Sequence, residues 1–323
     1  MRYSQSEKME IIRTVEDSEI GVVRTLHELG IPKSTFYKWY DRYREEGYEG
    51  LAPKEKQQRR FWNQLPHWER QRVVEIALKR PELSPRELAH YITDQERWFI
   101  SESTVYRILR SHGLVTSPAY VVMKASDSFK DKTTRIHQLW QTDFTYLKVV
   151  AWGQYFLSTI LDDYSRYIIH WELCSSMTNV DVERSVRSAL KKAGLSKARR
   201  PRLLSDNGPC YKSTELKDFL ENKGILHING KPYHPQTQGK IERYHRSLKN
   251  VIKLDNYYSP DELRSRLGEW VDWYNNERYH EALDNLKPVD VYEGRAEKIL
   301  RERKRIKEKS LRKRRKMNLK IVS

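Results

Sequence analysis

The sequence contains little cysteine and no long apolar segment. Its 323 residues include two cysteines, Cys174 and Cys210, far apart and in no metal-binding spacing, so a disulfide framework or a zinc finger is not expected. The N-terminal stretch MRYSQSEKMEIIRT lacks the apolar core of a signal peptide, and no segment approaches transmembrane length. We therefore expect a cytoplasmic, nucleoid-associated protein with no membrane partner.

Acidic residues are outnumbered as well. The 61 lysines and arginines against 44 acidic residues give a formal charge of +17 and a pI near 9.6. Such an excess predicts a polyanionic partner, and nucleic acid is the first candidate. Basic residues are dense in every region, which argues against the alternative of an ordinary soluble protein with a basic tail. The length suits two or three domains.

Residues 1–48 show three short helical patterns. Ser4 and Glu7 make a capping box, the second pattern stops at Gly30, and Ser34 can cap the third. Three helices with a turn before the last are typical of a helix-turn-helix, whose last helix enters the major groove, although a plain helical bundle has the same pattern. The predicted DNA contacts of this first helical module are Thr35, Tyr37, Lys38 and Arg42.

A second helical module is predicted at residues 66–115, after a basic linker at residues 49–65. The run Ser84-Pro85-Arg86-Glu87 is a strong helix start, and the last helix ends at Gly113. In the linker, Arg59 and Arg60 suit a phosphate backbone or a narrow minor groove, or else simply face solvent. The predicted reading face of the second module consists of Ser103, Thr104, Arg107 and Arg110.

Residues 137–293, after a second linker at residues 116–136, change to a strand-like pattern. LWQTDFTYLKVV, QYFLSTILDDY and RYIIHWELC are aromatic and β-branched runs, and LLSD and ILHIN follow between helical segments. Three antiparallel strands followed by alternating helices and strands predict an α/β domain with a mixed five-stranded sheet. Residues 294–323 predict a basic helical tail, which either binds phosphate nonspecifically and becomes ordered only on DNA, or is a solvated or frayed helix.

Three acidic residues stand out by their positions. Asp143 interrupts the first strand, Asp206 ends the fourth, and Glu242 lies near the start of a basic helix. Carboxylates of this kind suit Mg²⁺ or Mn²⁺, and a pair of such ions stabilises both oxygens of a displacement at phosphorus. Asp162 and Asp163 are interpreted as a structural turn pair, and Asn207 as shaping the turn beside Asp206.

The helix that carries Glu242 is rich in basic residues. His245, Arg246 and Lys249 follow Glu242 at helical spacing and share its face, so this face predicts a track for a phosphate backbone. His245 could instead be a simple surface histidine. Predicted DNA contacts on this helix and on the loop before it are His234, Gln236, Lys240, Arg243, Arg246 and Lys249.

The motifs QTDFTYL, SDNGP and YHPQTQGKIERYHRSLK occur in order, with thirty-five residues between Asp206 and Glu242. Together with LDDYSRYIIHW and YNNERYHEALDNLKPVDVY, they resemble the catalytic core of retroviral integrases and bacterial insertion-sequence transposases. The resemblance implies a ribonuclease-H-like fold in which Asp143, Asp206 and Glu242 bind two divalent ions. The absence of a His/Cys zinc module, and a basic end too short for a β-barrel, favour the bacterial branch.

The resemblance implies a DNA transposase that binds the terminal inverted repeats of its mobile element. It would hydrolyse a phosphodiester at the element end and then join the freed 3′-hydroxyl to target DNA, as a dimer or larger homo-oligomer on double-stranded DNA. No sustained heptad indicates how the protomers assemble. The alternatives are a sequence-specific DNA-binding protein with an inactive core and a nuclease of the same fold that acts on RNA–DNA hybrids.

Overall fold

The computed structural model describes residues 3–52, 61–115, 133–196, 199–230 and 239–320. Contacts divide the chain into two compact units, Met1–Gln64 and Leu65–Ser323. Within the described ranges, no helix has both the length and the apolarity needed to cross a membrane. The predicted DNA contacts Arg59, Arg60, His234 and Gln236 lie outside the described residues.

The first unit is a three-helix module. Its helices are α1 (Gln5–Glu16), α2 (Val22–Glu28) and α3 (Lys33–Glu46), and α1 has the predicted capping box. A 3-10 turn, Gly47–Leu51, extends beyond the predicted end of this module at residue 48 and completes its core, since Leu51 is 1% exposed. Gly50 is required in this turn, since a Cβ there would lie 2.5 Å from the backbone oxygen of Arg42.

The second unit begins with another three helices. These are α4 (His67–Lys79), α5 (Pro85–Tyr91) and α6 (Glu102–Ser111), with a π-helical turn at Ile92–Glu96. The predicted start of α5 is correct: Ser84 and Glu87 form a capping box. The apolar faces of the three helices meet in a small core of their own.

The sheet has five strands: β1 (Leu139–Val149), β2 (Gly153–Asp162), β3 (Ile168–Cys174), β4 (Arg202–Ser205) and β5 (His227–Asn229). Their order is β3-β2-β1-β4-β5. The first three strands are antiparallel, and β4 and β5 run parallel to β1. The predicted mixed five-stranded α/β core is therefore confirmed.

Helices cover both faces of the sheet. One face packs on α7 (Asn179–Ala193), α8 (Pro209–Lys212) and α9 (Thr214–Asn222). The other face packs on α10 (Gly239–Ile252) and α11 (Pro260–Asn276). The two cysteines are buried and unpaired.

The chain closes with α12 (Pro288–Tyr292) and a long helix, α13 (Ala296–Lys320). The helical tail is confirmed, but the expectation that it is solvated or orders only on DNA is wrong. Ile306, Ser310 and Arg314 of α13 are buried, because this face packs on the second helical module. The tail is thus ordered by protein contacts.

Candidate active site

Strand register brings Asp143 and Asp206 together. In the parallel pair β1–β4, Gln141 lies opposite Leu204. Continuing this register by two residues places Asp206, directly after β4, beside Asp143 in the middle of β1. The Asp143 side chain is 20% exposed, and Asp206 is exposed, so both carboxylates are open to solvent.

The turn after β4 fixes the Asp206 backbone. The Asn207 side-chain amide donates to the Gly230 carbonyl (2.7 Å), which ties the end of β4 to the chain after β5. The Gly208 N–H donates to Asp206 Oδ1 (2.9 Å). A Cβ at Gly208 would lie 3.0 Å from the same oxygen, so glycine suits this close approach. Asn207 shapes the turn, as predicted.

Glu242 is positioned by a network at the start of α10. Gln141, buried on β1, accepts from the Ile241 N–H (3.1 Å) and donates to Asp163 (2.7 Å). The Lys240 ammonium lies 2.5 Å from Asp163, whose side chain is 4% exposed. These bonds hold the first turn of α10 against β1. Glu242 belongs to this turn and directly follows Ile241.

Lys240 was predicted to contact DNA, and the structure gives it a different role. Its ammonium binds both the side chain and the backbone carbonyl of Asp163. Because Asp163 is a buried carboxylate, this cation compensates a charge that would otherwise be costly. Asp162 accepts from the backbone N–H groups of His137 (2.8 Å) and Ser165 (2.9 Å), so the acidic pair is structural in the way predicted.

His245 is a buried neighbour of Asp143. Its Nδ1 lies 3.3 Å from Asp143 Oδ2, and its Nε2 lies 3.4 Å from the hydroxyl of Thr159, the cross-strand partner of Asp143. The side chain is 7% exposed, so neither a phosphate contact nor a surface histidine describes it. Helical spacing gave the correct face of α10, but spacing alone does not show how closely α10 packs on the sheet.

The charge of Asp143 affects groups on both sides of the proposed site. Burial and the nearby charge of Asp143 raise the pKa of Glu242, against the opposing effect of Arg246 and His245. Burial and the charges of Asp206 and Asp143 raise the pKa of the Cys210 thiol to about 11. Since Asp143 acts on Glu242, and both aspartates act on one thiol, negative charge accumulates around the carboxyl end of β4 and the adjoining part of β1.

The three carboxylates fit a divalent cation by donor type and charge. Oxygen donors are those that Mg²⁺ and Mn²⁺ prefer, and a cation would relieve the charge that raises the pKa of Glu242. In the part of the chain that is described, no three acidic, His or Cys side chains are already grouped as a ligand set. The site is therefore a set of neighbouring donors whose side chains have still to converge.

Basic side chains of α10 adjoin these acids. Burial and Lys253 lower the pKa of Lys249, whereas the charge of Asp143 raises it, so Lys249 lies within electrostatic range of Asp143. Arg246 acts on Glu242, and both Arg243 and Arg246 are exposed. Arg246 and Lys249 thus flank the carboxylates where a phosphate backbone could lie.

The predicted reading faces lie on the last helix of each module. On α3, Tyr37 and Lys38 are exposed, while Thr35 and Arg42 are half-buried. On α6, the exposed residues are Ser103, Arg107 and Arg110. Thr104 is half-buried, and its hydroxyl bonds to that of Ser101, the N-cap of α6 (2.8 Å).

Comparison with protein-family models matches each part of the chain. Two models described as integrase core domain match residues 133–235 and 223–288. Together the two matches span residues 133–288. Two models described as homeodomain-like domain match residues 2–52 and 35–109, which supports the extension of the first module beyond residue 48.

Curated relatives include insertion-sequence transposases, which confirms the resemblance seen in the motifs. The transposase for insertion sequence element IS629 of Shigella sonnei is 32% identical over 49% of this chain and 52% of that protein. The putative transposase InsK for element IS150 of Escherichia coli K12 is 26% identical over 49% of this chain and 56% of that protein. The chain thus spans about half the length of these relatives.

Among solved structures, the HTLV-2 integrase catalytic core domain in complex with magnesium aligns with 49% of this chain and 97% of that one, at 20% identity and a TM-score of 0.40.

Proposed function

We propose that this protein is a DNA transposase whose integrase core carries out phosphodiester hydrolysis and strand transfer. The observation that most supports the proposal is the register of β1 and β4, which sets Asp206 level with Asp143. Asp143 also acts electrostatically on Glu242 and Lys249, and Arg246 acts on Glu242. Acids that can hold divalent cations, next to cations that can hold a phosphate backbone, suit chemistry at a phosphodiester.

Asp143, Asp206 and Glu242 would hold two Mg²⁺ or Mn²⁺ ions, which supply Lewis-acid stabilisation of the attacking and leaving oxygens. His245 holds one oxygen of Asp143 and so limits the rotation of this carboxylate. Arg246 and Lys249 bind the DNA backbone and keep the scissile phosphate at the acids. The chain therefore contributes positioning and charge, and no residue of the site needs to form a covalent bond to DNA.

The reaction has two displacements at phosphorus. In the first, a water oxygen bonds to phosphorus while the P–O3′ bond breaks, which leaves a 3′-hydroxyl at the element end. In the second, that 3′-oxygen attacks a target phosphodiester, and the broken P–O3′ bond of the target releases its own 3′-hydroxyl. The first step consumes one water and converts a phosphodiester into a 3′-hydroxyl and a 5′-phosphate, whereas the second exchanges one phosphodiester for another. Neither step changes an oxidation state, so neither needs an oxidant or a nucleotide cofactor.

The two homeodomain-like modules would bind the terminal inverted repeats of the element, each with its last helix in the major groove. The proposed contacts on these helices that are exposed are Tyr37, Lys38, Ser103, Arg107 and Arg110. Two element ends must be joined together, so at least a dimer would assemble on DNA. A bacterial cytoplasm, with access to the nucleoid, is the proposed setting.

The test is strand transfer by the purified full chain on a duplex that carries an element end, with Mg²⁺. Asp143→Asn, Asp206→Asn and Glu242→Gln should each reduce product formation by about a hundredfold to a thousandfold, the scale expected when an electrostatic group of the transition state is removed. Asp218→Asn, an exposed acid on α9, is the matched control and should keep full activity.

DNA binding by each variant is measured in parallel. A triad variant that keeps strand-transfer activity removes its residue from the proposed site. Wild-type protein that binds the end duplex but yields no product with Mg²⁺ or Mn²⁺ would instead support the alternative, a DNA-binding protein with an inactive core.

A further inference from the structure

The long helix α13 has two chemically different faces. It contains thirteen lysines and arginines against three glutamates, a net +10 out of the +17 of the whole chain. Ile306, Ser310 and Arg314 lie on one face at helical spacing and are buried. The other face is exposed and basic, so the burial of one side fixes the direction in which the opposite charges point.

The buried face holds the segment directly before α6. The Arg314 guanidinium lies 2.8 Å from Glu69 of α4 and donates to the Phe99 carbonyl (2.5 Å). The Phe99 N–H donates to the Ser310 hydroxyl (2.9 Å). Both partners of the ion pair are at most 5% exposed. Helix α13 is thus anchored two residues before Ser101, the N-cap of the helix that would enter DNA.

A second anchor lies nearer the N-terminus of α13, at Arg303. Arg303 donates to both oxygens of Asp94 (2.8 and 2.7 Å) and to the carbonyl groups of Asp284 and Asn285. One arginine therefore joins the second helical module to the end of the integrase core. With anchors at Arg303 and Arg314, the orientation of the whole outer face of α13 is fixed relative to α6.

The outer flank of α13 carries a continuous basic ridge. It is formed by four exposed residues spaced four, three and four positions apart: Arg305, Lys309, Arg312 and Lys316. At 1.5 Å per residue the ridge is about 16 Å long. Within the described ranges none of the four forms a hydrogen bond or an ion pair with the protein.

We propose that this ridge, Arg305, Lys309, Arg312 and Lys316, binds the phosphate backbone of the DNA duplex that α6 enters. Recognition helices contact bases with their N-terminal residues, and α13 is anchored at that end of α6. Phosphates along one strand rise about 3.4 Å each, so a ridge of about 16 Å can follow four of them. The inference rests on the proposed DNA-binding function and adds a third DNA-contacting element to it.

The test removes the four ridge charges and keeps the helical structure of α13. The variant Arg305→Gln/Lys309→Gln/Arg312→Gln/Lys316→Gln keeps residues of similar helix propensity, and circular dichroism checks that helix content is retained. The matched control, Lys191→Gln/Lys192→Gln/Arg199→Gln/Lys217→Gln, removes four exposed charges from the region of α7 to α9. Full-length proteins are titrated, by fluorescence anisotropy, with an element-end duplex and with a mixed-sequence duplex of equal length.

The measured quantity is the slope of log Kd against log NaCl concentration. Loss of the ridge should lower this slope by about 3 to 4 for both duplexes, at about 0.9 per phosphate contact, while the preference for the element end stays unchanged. A ridge variant with the same slope as the control would overturn the proposal. If wild-type protein shows no preference for the element end, the proposed function fails instead, and the slopes still report on the ridge.

Discussion

The buried pair Arg314–Glu69 allows a sharp prediction about how α13 is held. Arg314→Met keeps much of the side-chain volume and removes the guanidinium, so the Glu69 carboxylate stays buried without its cation. The buried Glu69 can then lose its unpaired charge only by taking up a proton. Burial already raises its pKa from 4.5, against the opposing charge of Arg314, and this opposition disappears in the variant.

The cost follows from that protonation. Neutralising a carboxyl group of pKa 4.5 at pH 7 requires about 3 kcal/mol, at about 1.4 kcal/mol per pH unit, and at pH 5 less than about 1 kcal/mol. Loss of the hydrogen bond to the Phe99 carbonyl adds about 1 kcal/mol at either pH. We therefore expect Arg314→Met to destabilise the docking of α13 by about 4 kcal/mol at pH 7 and about 2 kcal/mol at pH 5.

Native-state hydrogen exchange of the α13 amides measures this local opening directly, even where the rest of the chain stays folded. Arg315→Met, an exposed neighbour, is the control and should change protection by less than about 0.5 kcal/mol. Arg314→Met/Glu69→Leu should restore most of the protection at both pH values, because no buried charge is left unpaired. Equal losses at pH 5 and pH 7 for Arg314→Met would refute the reasoning.

Two further predictions concern histidines. Because His245 holds Asp143, His245→Leu should raise the Mg²⁺ concentration needed for half-maximal strand transfer by about 10- to 100-fold at unchanged DNA affinity. His245→Gln should recover part of the loss. Equal Mg²⁺ dependence in the wild-type protein and both variants would contradict this role. Burial, Lys192 and Arg184 lower the pKa of His170 to about 4, so the unfolded chain binds its proton more readily and stability falls as the pH drops from about 6.5 to 4. His170→Leu should remove up to about 3 kcal/mol of this loss of stability. The free energy of unfolding in urea should then differ less between pH 7 and pH 4.5 than it does in the wild-type protein. An unchanged difference would contradict the prediction.

Patterns local in the chain were predicted well. The capping boxes of α1 and α5 depend on residues three positions apart, and both were identified correctly. The alternation and composition of the strands gave the five-stranded sheet, because strands of a mixed sheet carry their own apolar signal. Tertiary packing decided the end of the first module, where Leu51 completes the core after an exposed stretch of chain.

The parts of the site that could not be predicted depend on contacts between distant residues. Lys240 lies 77 positions from Asp163, and the sequence gives no reason to prefer that partner over a phosphate. His245 was placed on the correct face of α10, but its burial depends on how closely that helix packs on β1 and β2. The carboxylates remain a predicted triad, since their register and electrostatic effects place them together without a formed ligand set.

Two ion pairs, each with a buried carboxylate, position the functional elements of the second unit. Lys240–Asp163 holds the first turn of α10, which carries Glu242, and Arg314–Glu69 holds α13 against the segment that leads into α6. Such pairs add little net stability compared with apolar substitutes, because desolvation offsets most of their attraction. Their directional bonds nevertheless admit few alternative arrangements. We therefore expect Arg314→Met/Glu69→Leu to fold normally and yet to bind an element-end duplex with a reduced salt dependence, since an apolar contact lets α13 shift its basic ridge away from the DNA. A double variant with the wild-type salt dependence would show that packing alone places the helix.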